Sequence, residues 1–397
     1  MANLNNGVNQ DTIQELNRSL LLHNLRKAGL CSRVQLANET KLKQATVTNI
    51  MKDFISWGLV KETGFLNGNK GRRSIGIEIN TDKYRVIGIR LTRKYYSVGL
   101  FDLAGNLLKN SRVDLMEDSK YIDVADKIIK TQNELTADLE DSDILAIGMA
   151  LPGPYISKTK RMALITGAEA LQGVDIIRQM EKLSSYPIFL EHDANAGALA
   201  HMWDMKEAYF GQTLVYIAVG QGIGAGIIIN GSIFGGAVGT AGEIGHMSIE
   251  ANGVPCVCGN KGCLERYTSS LELIEKLSKL KAPAKKYSFE EVTDLIKHKD
   301  KTALSCYTEA LQYLGVGVAN VVNIINPNII IIGDEMTKPD CGMVEEIVED
   351  VVKERVISQI SSELKIETSN YEGDPVLNGA AIVAINQIFK SPTQYIK

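Results

Sequence analysis

The sequence predicts an α/β fold: a small helical head that ends in a β-hairpin, then a body of two sheet-and-helix lobes around a cleft. Three observations predict it. The 397 residues are too many for one core. Residues 12–57 hold three closely spaced helical patterns, with a glycine-rich pair of strands behind them. From Tyr84 onward strands and helices alternate, and a strand–turn–strand plan occurs twice, first from Tyr84 and again from Leu214.

Composition narrows the class. Apolar residues make up 45% and charged residues 23%, as in a soluble globular protein. No apolar run approaches the roughly 20 residues of a membrane span. The opening MANLNNGVNQ has no apolar signal core, so a cytoplasmic location is expected, with reduced thiols. Charge is uneven: residues 1–80 carry 11 Lys+Arg against 6 Asp+Glu, and the remainder 32 against 41. A basic head on an acidic body suggests an anionic partner for the head.

In the head, the first helix is expected over about Thr12–Lys27, with Ile13, Leu16, Leu20 and Leu21 on one face. The second starts at Ser32, where SRVQ reads as a capping box with Gln35 at N3, and ends near Thr40. The third carries one apolar stripe, Val47, Ile50, Met51, Phe54 and Ile55, and Gly58 closes it. Strands at Leu59–Thr63 and Ile75–Ile79 flank a basic tip, Asn67–Arg73. Two short helices, a tight turn and a hairpin fit a winged helix-turn-helix. Its other face offers Gln44, Thr46, Thr48, Asn49 and Lys52, short or basic side chains suited to base edges and phosphates. Arg72 and Arg73 on the glycine-rich tip suit a narrow minor groove. A three-helix protein-interaction module with a solvated polar face is the competing reading.

The body has further strands expected at Ile144–Ala150, Ile188–Glu191 and Ile329–Ile332. Helices are expected at about 120–139, 195–205, 270–280, 303–322, 342–360 and 376–390, and TSSLELIEKLSKLKAPAKKYS as an exposed charged helix and loop. The second hairpin turn, with Gly220, Gly222, Gly224 and Gly226, leaves room for a phosphate, or else only for tight strand packing. The first turn, Arg90-Leu91-Thr92-Arg93-Lys94, has neither glycine nor carboxylate.

The stretch CVCGNKGC packs three of six cysteines into eight residues, and His246 lies ten positions before Cys256. His246, Cys256, Cys258 and Cys263 are the donor types Zn²⁺ takes in closed tetrahedral sites, so a structural zinc is expected. Folding that loop draws Glu243 and Glu265 towards His246. Carboxylates and an imidazole together suit a polyhydroxylated ligand, whose hydroxyls both donate and accept. Asp193, between a strand and a helix, is a third candidate carboxylate, or a helix cap.

The segments GEIGH at 242–246, CVCGNKGCLE at 256–265, EHDANAGALA at 191–200 and NPNIIIIGDE at 326–335 resemble the ROK family of repressors and sugar kinases over about residues 84–390. GNKGRRS and ATVTNIMKDFISWGLV resemble the DNA-binding head of its repressor branch. The resemblance implies an actin-like, ribonuclease H-like body, a structural zinc on His246, Cys256, Cys258 and Cys263, and a sugar held by Asp193, Glu243, His246 and Glu265. It implies domains at 1–80, 81–195 and 196–377, with 378–397 packing back on the first lobe. Kinases of the family carry Asp-x-Gly-Gly-Thr where this chain has residues 90–94, threonine where it has Gln221, and asparagine where it has His192. The segment ITGAEALQGVDI also lacks the kinases' sugar-binding asparagine.

The expectation is therefore a sugar-responsive repressor of carbohydrate genes, not an enzyme, that binds operator DNA as a dimer, within a homo-oligomer that is a dimer or tetramer, and takes a sugar or sugar phosphate as effector. An ATP-dependent sugar kinase with an appended DNA-binding head is the alternative. A third reading has a protein partner in place of the sugar.

Overall fold

A computed structural model describes residues 9–66, 74–115, 123–153, 155–156, 161–162, 176–205, 211–281, 285 and 287–396. Helix α1, Gln10–Ala28, starts at Asn9, whose Oδ1 accepts the Thr12 amide at 2.8 Å. It buries Leu21, Leu22 and Leu25, while Ile13, Leu16 and Leu20 are exposed. The expected inner face is thus corrected: the second leucine stripe packs on the next helix and the hairpin, and turns the first outward.

Strand β1 is Cys31–Ser32 and α2 is Arg33–Thr40. The capping box is present: Ser32 Oγ accepts the Gln35 amide, and Gln35 Oε1 accepts the Ser32 amide. Helix α3, Gln44–Trp57, buries Val47, Ile50, Met51 and Phe54, and Gly58 ends it. Strands β2, Val60–Leu66, and β3, Ser74–Ile79, pair antiparallel, and β1 adds to the free side of β3. The tip with Arg72 and Arg73 lies outside the described residues.

Contacts divide the chain into two units. The first comprises residues 1–150, 176–190 and 380–397. Its sheet uses β4 (Arg85–Leu91), β5 (Tyr95–Asp102), β6 (Leu107–Asp114), β7 (Ile144–Leu151) and β8 (Ile188–His192), in the order β8-β7-β4-β5-β6. Helices α4, Val124–Leu135, and α5, Ile176–Leu183, belong to this unit.

The second unit comprises residues 151–175 and 191–379. Helix α6 is Asp193–Asp204. Its sheet uses β9 (Leu214–Val219), β10 (Ile223–Ile229), β11 (Ser232–Ile233), β12 (Ile329–Gly333) and β13 (Lys365–Thr368), in the order β13-β12-β9-β10-β11. The two sheets share one plan: an antiparallel three-strand meander, a parallel strand beside its first member, and one strand beyond. The duplication expected from the two hairpins is thus a duplication of whole sheets.

Helices α7 (Glu265–Thr268), α8 (Ser270–Lys281), α9 (Phe289–Lys297), α10 (Lys301–Ile325), α11 (Cys341–Arg355) and α12 (Ser358–Ser361) complete this unit. Its core joins Val215, Ile217 and Ile330 of the sheet to Leu311, Leu314 and Val318 of α10. Leu273 and Leu277 of α8 are buried there too, so the segment expected to be exposed is a helix with one inner face. Helix α13, Pro375–Lys390, is divided between the units after Gly379, and α14, Pro392–Tyr395, ends the described chain. Among the described residues, no helix is long and apolar enough to cross a membrane.

Candidate functional site

Strand β10 is the floor of a polar cluster in the second unit. The Ala225 amide donates to Gly242 O at 2.8 Å. A Cβ on Gly242, whose φ is +98°, would lie 1.9 Å from Ala225 O. Only glycine lets the GEIGH segment lie so close to the strand. That contact delivers Glu243 and His246, at the two ends of a short 3₁₀ turn, to the start of β10.

Helix α6 packs on the same strand and brings Asp193 and His192. A Cβ on Gly224 would lie 3.1 Å from His192 Cε1. His192 Nε2 and Asp193 Oδ1 are 3.2 Å apart, and Asp193 Oδ1 also accepts the Ala194 amide at 2.7 Å. His192 occupies the N-cap position and Asp193 the first helical one.

Glu265, at the start of α7, is buried, and its Oε2 accepts the Ile223 amide at 3.1 Å. Glu243 reports how closely these groups converge. Burial pushes its carboxyl above the usual range, His192 and His246 oppose that, and Asp193 and Glu265 add to it. Asp193, Glu243, His246 and Glu265 are thus brought into one field, with His192 among them.

His246 also faces the cysteine loop. The ligand atoms of His246, Cys256, Cys258 and Cys263 all lie within 4.8 Å of one another. Cys256 Sγ is 4.0 Å from His246 Nδ1, and Cys258 Sγ is 3.7 Å from Cys263 Sγ. A tetrahedron with metal–sulfur bonds of about 2.3 Å sets sulfurs about 3.8 Å apart, so the donor set fits a metal ion such as Zn²⁺. Burial and the neighbouring thiols push Cys263 up to about 12, and closing the set as thiolates takes a cation.

The loop is braced from outside. Asn260 Nδ2 donates to His246 O at 3.3 Å and to Ser248 Oγ at 2.9 Å. Tyr267 Oη accepts the Val254 amide at 2.9 Å and donates to Glu250 at 3.1 Å.

The two hairpin turns use their amides differently. In the first, Thr92 Oγ1 accepts the amides of Lys94 and Tyr95 at 3.2 and 3.0 Å, and the Thr92 amide donates to Tyr95 O at 2.8 Å. The Lys94 and Tyr95 amides are thus held by the turn's own Thr92. In the second, the Gly220 amide donates to Gly222 O at 3.0 Å, and Glu265 takes the Ile223 amide. A Cβ on Gly220 would lie 2.9 Å from the Asp334 carboxylate, so an anionic group already stands against that turn.

On the head, Gln44, Asn49 and Lys52 of α3 are exposed, and Thr46 and Thr48 half-buried, opposite the buried Val47–Phe54 stripe. Sequence reasoning missed the Glu265–Ile223 and His192–Asp193 pairings. The first joins positions 42 residues apart and has no local pattern. The second had a signal, the histidine in EHDANAG, read only as a departure from kinases.

Residues 86–387 match the ROK family. The chain is 30% identical to the xylose repressor of Caldicellulosiruptor bescii, covering 97% of this chain and 99% of the relative. It is 28% identical to the DNA-binding transcriptional dual regulator NagC of Escherichia coli, covering 94% of each. Among solved structures, a ROK family transcriptional regulator, described as a homologue of the E. coli MLC protein, superposes with a TM-score of 0.79 at 25% identity, covering 96% of this chain and 97% of that one. The ROK hexokinase of Thermus thermophilus superposes at 0.63 with 26% identity, covering 99% of that chain but only 77% of this one. The protein belongs to the ROK family. It has the α/β fold shared by that family's regulators and sugar kinases.

Proposed function

We propose that the protein is a sugar-responsive transcriptional repressor whose ROK body binds an effector and performs no phosphoryl transfer. One observation carries this reading: Asp193, His192, Glu243, His246 and Glu265 gather around the start of β10, whereas the turn at residues 90–94 has neither glycine nor carboxylate and folds the Lys94 and Tyr95 amides onto its own Thr92. Sugar hydroxyls need only the first group. Phosphoryl transfer needs a place for the γ-phosphate and its metal as well. The relatives support it, since those that cover nearly the whole chain are named as repressors or regulators.

Residues 1–80 act as a winged helix-turn-helix in this reading. Gln44, Thr46, Thr48, Asn49 and Lys52 face operator DNA, and Arg72 and Arg73 reach the minor groove. A homo-oligomer presents two heads to a pseudo-palindromic site in the cytoplasm. The body is actin-like in this reading, its two lobes corresponding to the sheet-bearing parts of the two units.

Asp193, Glu243, Glu265 and His246 accept and donate to the hydroxyls of a sugar or sugar phosphate. His246 Nδ1, Cys256, Cys258 and Cys263 would hold Zn²⁺, which would cross-link the loop. His246 then keeps Nε2 for the sugar. Without ATP, Asp193 is a hydroxyl acceptor and not a base.

The test is a pair of assays on the purified chain. Selection from genomic DNA should enrich one pseudo-palindrome. A panel of hexoses and pentoses with ATP should show no phosphorylation. Turnover of a sugar that Asp193→Ala abolishes would establish the kinase instead.

A further inference from the structure

Three hydrogen bonds link the last helix of the chain to the helix proposed to read DNA, all within the first unit. Thr393 Oγ1 of α14 donates to Glu15 Oε1 of α1 at 2.9 Å. Arg18 Nη1, one turn further along α1, donates to the same oxygen at 2.8 Å. Its other terminal nitrogen, Nη2, donates to Asp53 Oδ2 of α3 at 2.9 Å. The Arg18 guanidinium also lies 5.1 Å from the ring centre of Trp57, the last residue of α3. The side chain of Arg18 is 11% exposed, so this cation is held between two carboxylates and a ring, away from solvent.

We infer that Arg18 is a positioning residue that holds α3 in one orientation against the C-terminal helices, through Glu15 and Thr393. Arginine suits the role because its planar fork addresses two carboxylates in fixed directions, which a lysine cannot do. The anchor is firm. The rings of His23 on α1 and Phe389 on α13 pack in a T-shape with centroids 5.5 Å apart. Helix α13 in turn touches the sheet by its backbone, since a Cβ on Gly148 of β7 would lie 1.7 Å from Ala380 O.

A second tether acts at a different point. Trp57 O accepts Tyr84 Oη at 2.8 Å and Lys83 Nζ at 3.0 Å, which ties the end of α3 to the chain entering β4. One tether would leave α3 free to swing about it. Two tethers fix its direction, so any shift of α14 relative to β4 must turn the helix. That this turn alters DNA affinity rests on the proposed function, but the mechanical link does not.

The test therefore uses neither DNA nor sugar. Amide exchange of residues 44–57 is measured by mass spectrometry in the full chain, with residues 86–91 as reference. Thr393→Val, made in the body, should speed exchange in 44–57 by about ten-fold or more, as loss of a hydrogen bond to a charged group would. The reference strand should not change. Arg18→Met should do at least as much, and Arg18→Lys should fall between it and the native chain.

Thr393 and Asp53 share no bond, so combining Thr393→Val with Asp53→Asn separates relay from local damage. A relay predicts that the double change adds little to either single one. If Arg18→Met fails to fold, Thr393→Val and Glu15→Gln still decide. Native exchange in 44–57 for both of those variants, or full additivity with Asp53→Asn, would overturn the inference.

Discussion

Glu265 accepts the backbone amide of Ile223 through a 3.1 Å hydrogen bond buried in the second unit. Glu265 lies two residues beyond the last thiol of the cysteine loop, and Ile223 opens the strand beneath the polar cluster. This bond fastens the end of the cysteine loop to the floor on which Asp193, Glu243 and His246 stand. Glu265→Ala should leave the buried amide unpaired and cost about 1–3 kcal/mol. Urea unfolding measures that loss. Calorimetry with a sugar panel should show binding lost as well, while Glu265→Gln, which still offers an acceptor, keeps most of the stability.

The four-donor cluster leads to a metal prediction. Elemental analysis should find about one zinc per chain. Cys258→Ser should lose the metal and lower the melting temperature of the body, although Cys258 itself is exposed. His246→Ala should lose both metal and sugar if, as proposed, Nδ1 holds the metal and Nε2 the sugar. A fully folded wild-type chain without metal would contradict the structural role.

Two histidines, His201 buried and His23 half-buried, set a pH dependence. Burial, with a smaller contribution from Arg26, lowers His23 from 6.5 to about 4, and burial does the same to His201. Both are neutral in the folded chain, so the unfolded chain takes up their protons first. Stability should fall as pH drops below 6.5 and level off near 4, with about 2 kcal/mol lost per histidine by pH 5. Urea midpoints between pH 7 and pH 5 measure the slope. His23→Phe should remove about half of it, whereas an unchanged slope would show that His23 is not held neutral.

The head should divide its work between position and sequence. Arg72→Ala and Arg73→Ala should each weaken binding to any duplex and flatten its salt dependence. Asn49→Ala or Thr46→Ala should alter which sequences are preferred if, as proposed, their partners are base edges and not phosphates. Competition between selected and random duplexes distinguishes the two outcomes. Equal loss on both for Asn49→Ala would refute base reading.

Features with a short-range pattern were legible in the sequence. The Ser32–Gln35 capping box, the Gly58 helix end and the Val47–Phe54 stripe all follow from spacings within one or two turns. The donor set of the metal loop was legible for the same reason. The inner face of α1 was not, because Ile13, Leu16 and Leu20 form as good a stripe as Leu21, Leu22 and Leu25, and only packing chooses between them.

Strand β6 was missed as well. Its Leu107 and Leu108 are exposed, and it alternates too weakly to read as a half-buried strand. The pairing of Thr393 with Glu15 spans 378 residues and leaves no trace in local pattern.

The central claim is that a kinase scaffold here responds to a sugar by changing its hold on DNA. It is tested most directly by titrating sugars and their phosphates into the chain bound to its selected duplex, with fluorescence anisotropy as readout. One ligand should shift the apparent Kd by a factor of about 5–150, the usual range of allosteric coupling. Asp193→Ala and Glu243→Ala should abolish the shift and leave affinity without sugar unchanged. An anisotropy curve that no sugar moves, together with ATP-dependent sugar phosphorylation that Asp193→Ala removes, would contradict the account.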